Sequence, residues 1–195
     1  MLYFLLPFYS PIFAPMELIE TGIKDLWVIK PKVFTDPRGY FYESYNSATF
    51  AKLGINAHFT QDNQSLSAKN IVRGLHFQAP PHAQGKLVRV VKGAVQDVAV
   101  DIRKNSPTYG QHYSVVLSEE NMLMFWIPPG FAHGFATLED QTIFSYKCTD
   151  TYHPETEGGL LWNDRELNIQ WQVENPLLSD KDTKYDPFSL FISPF

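Results

Sequence analysis

From Glu17 to about Ile169 the chain is a succession of short β-prone runs, each cut after a few residues by Gly, Pro or Asn. Many evenly spaced short strands with frequent turns confine the fold to an antiparallel barrel or sandwich. Leu26-Trp27-Val28-Ile29 is one such run, and Tyr40-Phe41-Tyr42-Glu43 follows the turn Asp36-Pro37-Arg38-Gly39. Leu87 to Val91, then Lys92-Gly93, then Ala94 to Ile102 predicts a hairpin. Tyr113 to Leu117 and Met122 to Ile127 predict a second strand pair, and Phe135 to Leu138 and Thr142 to Lys147 continue the series. Helical signals are few. Ser47 to Leu53 predicts a short helix with Ser47 as its N-cap, and a second follows Ser179, where Asp180 and Asp182 fall in the first turn. The expected fold is all-β, a jelly roll with a few short helices, because a jelly-roll interior can hold a small ligand among polar residues from several strands.

The length of 195 residues suits one domain, or one domain with an appended tail, and 44% hydrophobic residues are enough for a core. The net charge of −5 argues against nucleic acid as a partner, although a local cluster of Arg and Lys can still meet an anionic substrate. The single cysteine, Cys148, excludes an intrachain disulfide and a cysteine-based zinc site; it is expected to be a small buried side chain in a cytoplasmic protein. Residues 1–15, MLYFLLPFYSPIFAP, form an apolar leader without a basic start or a small-residue cleavage site. Its prolines at positions 7, 11 and 15 break any helix, and it is too short to span a membrane. It reads as an upstream start or added extension outside the core, with a hydrophobic arm against a neighbouring subunit as the alternative. Residues 16–195 are expected to form the one jelly-roll domain.

The segment Val72-Arg73-Gly74-Leu75-His76-Phe77-Gln78, with Gln84-Gly85-Lys86-Leu87-Val88 behind it, carries the chemistry. A neutral imidazole is a usable base near pH 7. With Arg73 and Lys86 as fixed cations, it suits proton removal from a polarised carbonyl compound bearing phosphate. Strand alternation places Lys86, Val88 and Val90 on one face. An ammonium there is costly unless it meets an anion or ligand, or lies at the rim with its head in water. Tyr146 can be a proton donor or a lining aromatic. Tyr152, with His153 beside it in a loop, can stack on a base or cover the barrel end. Asp182 matters only if the C-terminal segment folds back to His76, where a carboxylate would fix the tautomer.

Pro128-Pro129-Gly130-Phe131-Ala132-His133-Gly134 is similar to the second motif of cupin jelly rolls, whose histidine is a metal ligand in metal-binding members. A metal site also needs neighbouring histidines and a carboxylate. Here His76 and His82 are separated by Pro80 and Pro81, which break a strand, so no catalytic metal is expected.

The ordered set of motifs resembles one cupin family, the dTDP-4-dehydrorhamnose 3,5-epimerases. The set comprises Asp36 to Glu43, Gln61-Asp62-Asn63 with Ser65, Arg73 to Gln78, Gln84 to Val88, Asp97 to Arg103, Ser106-Pro107-Thr108, Pro129 to Phe135 and Trp162-Asn163-Asp164. The resemblance covers roughly Glu17 to Asp182. It implies a cupin-type barrel without cofactor, a homodimer with strand exchange near the N-terminus, and dTDP-4-dehydro-6-deoxy-D-glucose as substrate, inverted at C3 and C5 on the way to dTDP-L-rhamnose. It further implies His76 as base, Asp182 as its partner (with Asp180 the alternative), Tyr146 as acid and Lys86 beside the C4 oxygen. Arg38 and Arg73 would meet the diphosphate and Tyr152 the thymine, with Glu43, Gln61, Asn63, His133, Glu157 and Lys181 as further substrate contacts. Arg38 and Glu43 would reach the neighbouring subunit's site. Three readings remain beside it: a single-centre epimerase or ketoisomerase on the same sugar, a metal-dependent cupin, and a silent sugar-binding jelly roll.

Overall fold

The computed structural model describes residues 16–195, so the expectation for the apolar leader lies outside the described residues. The chain runs through β1 (Glu17–Glu20), β2 (Trp27–Lys30), β3 (Phe34–Asp36) and β4 (Gly39–Phe41) before α1 (Ser47–Lys52), the one α-helix among the described residues. It continues through β5 (Gln61–Ser67), β6 (Val72–Gln78), β7 (Lys86–Lys92), β8 (Ala94–Asp101) and β9 (His112–Ser118). The last four strands are β10 (Met124–Ile127), β11 (Phe131–Thr137), β12 (Thr142–Cys148) and β13 (Glu157–Gly159). Single 3-10 turns occupy Pro154–Thr156 and Phe188–Leu190.

Two antiparallel sheets face each other. One has six strands in the order β1-β2-β10-β7-β12-β5, the other five in the order β13-β6-β11-β8-β9, and β3 and β4 form a separate hairpin. From β5 onward the chain changes sheet at almost every connection, as the expected all-β jelly roll requires. This alternation overturns two local expectations. Lys92-Gly93 does not close a hairpin: β7 pairs with β10 and β12, whereas β8 pairs with β11 and β9. Gly93, at φ 78°, passes the chain across to the opposite sheet. The expected pairing of Tyr113–Leu117 with Met122–Ile127 fails likewise, because β9 and β10 lie in different sheets.

The strands inside each sheet are covered on both faces: β8 is buried at all eight of its positions, Gln96, Asp97 and Asp101 included, whereas the edge strand β5 alternates half-buried and exposed residues. Val88, Val90, Val95, Ala99, Phe125, Phe135 and Phe144 fill the space between the sheets. Leu75, Phe77, Val98 and Val100 project from the other face of the five-stranded sheet and meet Leu160, Leu167, Ile169 and Phe188 of the C-terminal segment. Across the molecule, α1 lays Phe50 against Ile29, Leu87, Met124 and Trp126. The N-cap of α1 is Asn46 rather than Ser47: Asn46 Oδ1 accepts from the amides of Ala48 and Thr49, which leaves Ser47 as the first helical residue. The helix expected after Ser179 is a run of turns; Asp182 there closes a turn onto Ser179 instead of opening a helix.

Candidate active site

The inner face of the six-stranded sheet is apolar at one end and polar at the other. Register alone assembles the polar end. Cys148 on β12 stands opposite Lys86 on β7 and Gln61 on β5, and Tyr146 stands opposite Val88 and Asn63. On the facing sheet, His133 of β11 is paired with His76 of β6 and Ala99 of β8. Alternation along β6 turns Leu75 and Phe77 to the outer core, so His76 between them faces the interior.

A cavity of about 580 Å³ opens between the sheets, and His76, Lys86, His133, Tyr146, Arg73 and Asp182 are among its lining residues. A second cavity of about 330 Å³ adjoins it, lined in part by Gln61, Gln84, Tyr152 and Glu157. Asn63, His76, Lys86 and Tyr146 line both, so these four side chains stand where the two spaces meet.

His76 Nε2 lies 2.6 Å from Asp182 Oδ1, a direct link between the barrel and the C-terminal segment. Burial raises the Asp182 carboxyl, but hydrogen bonds from His76, Ser179 and the Gly74 backbone outweigh it and hold the group below the usual carboxylate range. Asp182 is 3% exposed, whereas Asp180 sits in the open. An ionised carboxylate on Nε2 makes that nitrogen the donor and leaves Nδ1 with the lone pair.

Desolvation drives the Lys86 ammonium down from its ordinary value and the Tyr146 hydroxyl up. Tyr146 thus keeps its proton at neutral pH, and an ammonium at Lys86, in this poorly solvated position, acts strongly on a nearby anion. Arg73 is fixed by Nε and Nη2 bonds to Ser67 Oγ, both 3.2 Å. At the mouth, Tyr152 Oη donates to Glu157 at 2.7 Å, and Lys181 pairs with the same carboxylate. Gln61 accepts from the Tyr152 amide at 2.9 Å and donates to Asn63 at 3.0 Å.

Two expected contacts stay outside. Arg38 pairs with Asp36 on the exposed β3–β4 hairpin, where its side chain is 90% accessible. Glu43 accepts from Asn46 and Thr49 at the start of α1. Neither lines either cavity.

Two residues escaped the sequence reading. Asp97 is fully buried and its carboxylate lies 2.9 Å from His133 Nε2, a second imidazole–carboxylate pair in the same pocket. Burial pushes Asp97 up and His133 down, each opposed by the partner. The signal was available: Val95, Asp97 and Ala99 share the inner face of β8, where an acid is out of place. Tyr185 had no such signal. Its ring packs edge-on to His76, with centroids 5.9 Å apart, over Gly159, where any Cβ would overlap it. Cys148 is buried as expected, with Asn63 Nδ2 3.7 Å from its sulfur. Neither pocket histidine is grouped for metal ligation. Among the described residues, three potential ligands gather only at His82, Asp150 and His153. No described helix is long and apolar enough to cross a membrane.

The family model described as dTDP-4-dehydrorhamnose 3,5-epimerase matches residues 20–189. The dTDP-4-dehydrorhamnose 3,5-epimerase of Shigella flexneri is 52% identical over 174 residues, covering 89% of this chain and 96% of that protein. The Salmonella typhimurium enzyme of the same name is 54% identical over 169 residues, covering 86% and 92%. In structure, the chain is similar to dTDP-6-deoxy-D-glucose-3,5-epimerase of Legionella pneumophila Philadelphia 1 in complex with dTDP-4-keto-L-rhamnose. That match has a TM-score of 0.87 and 48% identity, covering 91% of this chain and 95% of the other. A barrel whose polar end joins an Asp-paired imidazole to a buried lysine and tyrosine, matched along almost its whole described length, belongs to the dTDP-4-dehydrorhamnose 3,5-epimerase family.

Proposed function

We propose that this chain inverts C3 and C5 of dTDP-4-dehydro-6-deoxy-D-glucose to give dTDP-4-dehydro-L-rhamnose, in the formation of dTDP-L-rhamnose. The observation that carries this reading is the meeting of His76, held by Asp182, with Lys86 and Tyr146 where the two cavities join. The C4 ketone acidifies hydrogens on both flanking carbons. His76 Nδ1 takes the proton from C3 or C5, and Asp182 stabilises the imidazolium that forms. The electron pair moves onto the C4 oxygen, where the Lys86 ammonium meets the developing enolate. Tyr146 returns a proton to the same carbon from the opposite face, and inversion follows. One base serves both carbons after the sugar ring turns. Asp97 holds His133 in a fixed orientation as a substrate contact.

Arg73 and Lys181 face the diphosphate, the guanidinium matching phosphate oxygens with paired donors. Tyr152 stacks on thymine, with Glu157, Gln61 and Asn63 around the nucleoside and sugar. We further propose a homodimer, in the cytoplasm, in which exchanged N-terminal strands carry Arg38 and Glu43 to the neighbouring site. The exposure of Arg38, Tyr40 and Phe41 on the β3–β4 hairpin supports this arrangement.

Incubation with the 4-keto nucleotide sugar in deuterium oxide, followed by NMR, tests the reaction. Deuterium is expected at both C3 and C5; label at one carbon alone identifies a single-centre epimerase, and none at either overturns the assignment. His76→Ala is expected to lose exchange at both carbons by about 10²–10⁴-fold. Tyr146→Phe is expected to slow product formation more than exchange, and equal losses would remove Tyr146 from the acid role.

A further inference from the structure

We propose that His82, Asp150 and His153 form a binding site for a divalent transition-metal ion at the rim of the smaller cavity, apart from the chemistry at His76. One ligand atom from each of the three lies within 4.8 Å of the other two. His82 Nδ1 stands 3.1 Å from Asp150 Oδ2, and the two imidazoles stack with centroids 3.5 Å apart and 8° between their planes. Nitrogen and oxygen ligands lie about 2.0–2.2 Å from zinc, which sets them roughly 3–3.5 Å from one another. The three ligand atoms are near enough to share one ion once the stacked rings open out and His153 Nε2 exchanges its contact with Thr151 Oγ1, at 3.2 Å, for the metal. Parallel rings point their in-plane lone pairs side by side, so coordination splays the rings at their metal-bound edges. Glu155 Oε1, 3.0 Å from His153 Nδ1, orients that imidazole from behind, the role outer carboxylates play for metal-bound histidines. Two imidazoles and a carboxylate form a donor set for Zn²⁺, Co²⁺ or Ni²⁺ rather than for Mg²⁺ or Ca²⁺.

The backbone that carries these ligands is held in place independently of them. His82 comes from the β6–β7 connection, and Asp150 and His153 from the segment after β12. Gln78 Nε2 donates to the carbonyls of His82 (2.7 Å) and Thr151 (3.1 Å), while its Oε1 accepts from the His153 amide at 2.7 Å. Gln84 Nε2 donates to the carbonyls of Asp150 (2.7 Å) and Thr151 (3.0 Å). Two glutamines thus tie both segments together, and little ordering is left for the ion to impose. Tyr152 lies between Asp150 and His153 in sequence. A metal that clamps these neighbours restrains Tyr152, and by linkage the metal and a nucleotide stacked on Tyr152 strengthen each other's binding. This coupling rests on the role proposed above for Tyr152.

The test titrates untagged, chelator-stripped protein with ZnCl₂ by calorimetry in the absence of nucleotide. One zinc ion per chain is expected, with broadened or shifted imidazole C–H signals from His82 and His153 in the wild-type NMR spectrum. His82→Gln and His153→Gln are each expected to weaken zinc binding by on the order of 100-fold, while MgCl₂ leaves the imidazole signals unmoved. No zinc uptake, zinc uptake that leaves both histidine signals in place, or unchanged uptake by the double variant overturns the site. Repeating a dTDP titration with and without zinc reads the coupling, and equal dTDP affinities overturn that part. Zinc uptake is measured without substrate, so it stands or falls separately from the epimerase assignment.

Discussion

At the scale of single residues, function and stability pull against each other most clearly at Lys86. Its ammonium is desolvated between the sheets beside Val88, a position that favours the uncharged form. Because the folded-state value is lowered, the charge costs stability at neutral pH, and the cost is relieved only as pH rises through that value. Lys86→Met is therefore expected to raise the unfolding free energy by about 1 kcal/mol, read from denaturant titrations, while turnover falls by about 10²–10³-fold. Asp182 has the opposite sign. Its folded-state value is lowered, so its stabilisation is in place above the ordinary carboxylate range and is lost as pH falls through the lowered value. Asp182→Asn is expected to cut turnover by about 10³-fold or more and to flatten the acid limb of a stability-versus-pH curve. His76, Lys86 and Arg73 were legible because histidine, lysine and arginine around a glycine in a β-rich segment do not fit a core. Asp182 was legible only through the resemblance. Tyr185 was not legible, since its contact with His76 depends on Gly159 being bare and on a loop path that no local pattern encodes.

Strands and their crossings form the next scale. β6 and β11 approach so closely that a Cβ on Gly74, at φ 121°, would lie 2.5 Å from Gly134 Cα and 2.8 Å from the His133 carbonyl oxygen. This contact sets the spacing of His76 from His133. Gly74→Ala is expected to destabilise the fold by about 2–3 kcal/mol and to lower activity beyond what lost folding explains, read as turnover per folded molecule. Periodicity located β2, β4 and β7 to β12 but left β1, β3, β5, β6 and β13 unassigned, and it could not say which strands pair. A glycine between two apolar runs signals a tight turn equally well when the chain doubles back and when it crosses to the facing sheet, and Gly93 takes the second course. The N-cap shows the same limit on a smaller scale: Asn46 and Ser47 are both good caps, and only the backbone angles of Asn46 decide between them.

For the whole molecule, the separation of Arg38 from both cavities makes the proposed exchange of strands testable. Arg38→Ala and His76→Ala subunits, each impaired alone, are expected to regain up to about one quarter of wild-type activity when co-assembled, because half the dimers are mixed and each of those rebuilds one intact site. No recovery would confine the site to one chain. The jelly roll could be anticipated from the succession of short strands, whereas the closing of the outer face by Leu167, Ile169 and Phe188 could not, since irregular chain has no periodicity to reveal which side it covers. That closing segment also delivers the carboxylate to the imidazole, and in chain order it follows all the strands of the barrel. The duties are therefore divided along the chain: the strands furnish the imidazole, the tail furnishes the carboxylate that steers it, and one stretch of irregular backbone both seals the outer core and tunes the base.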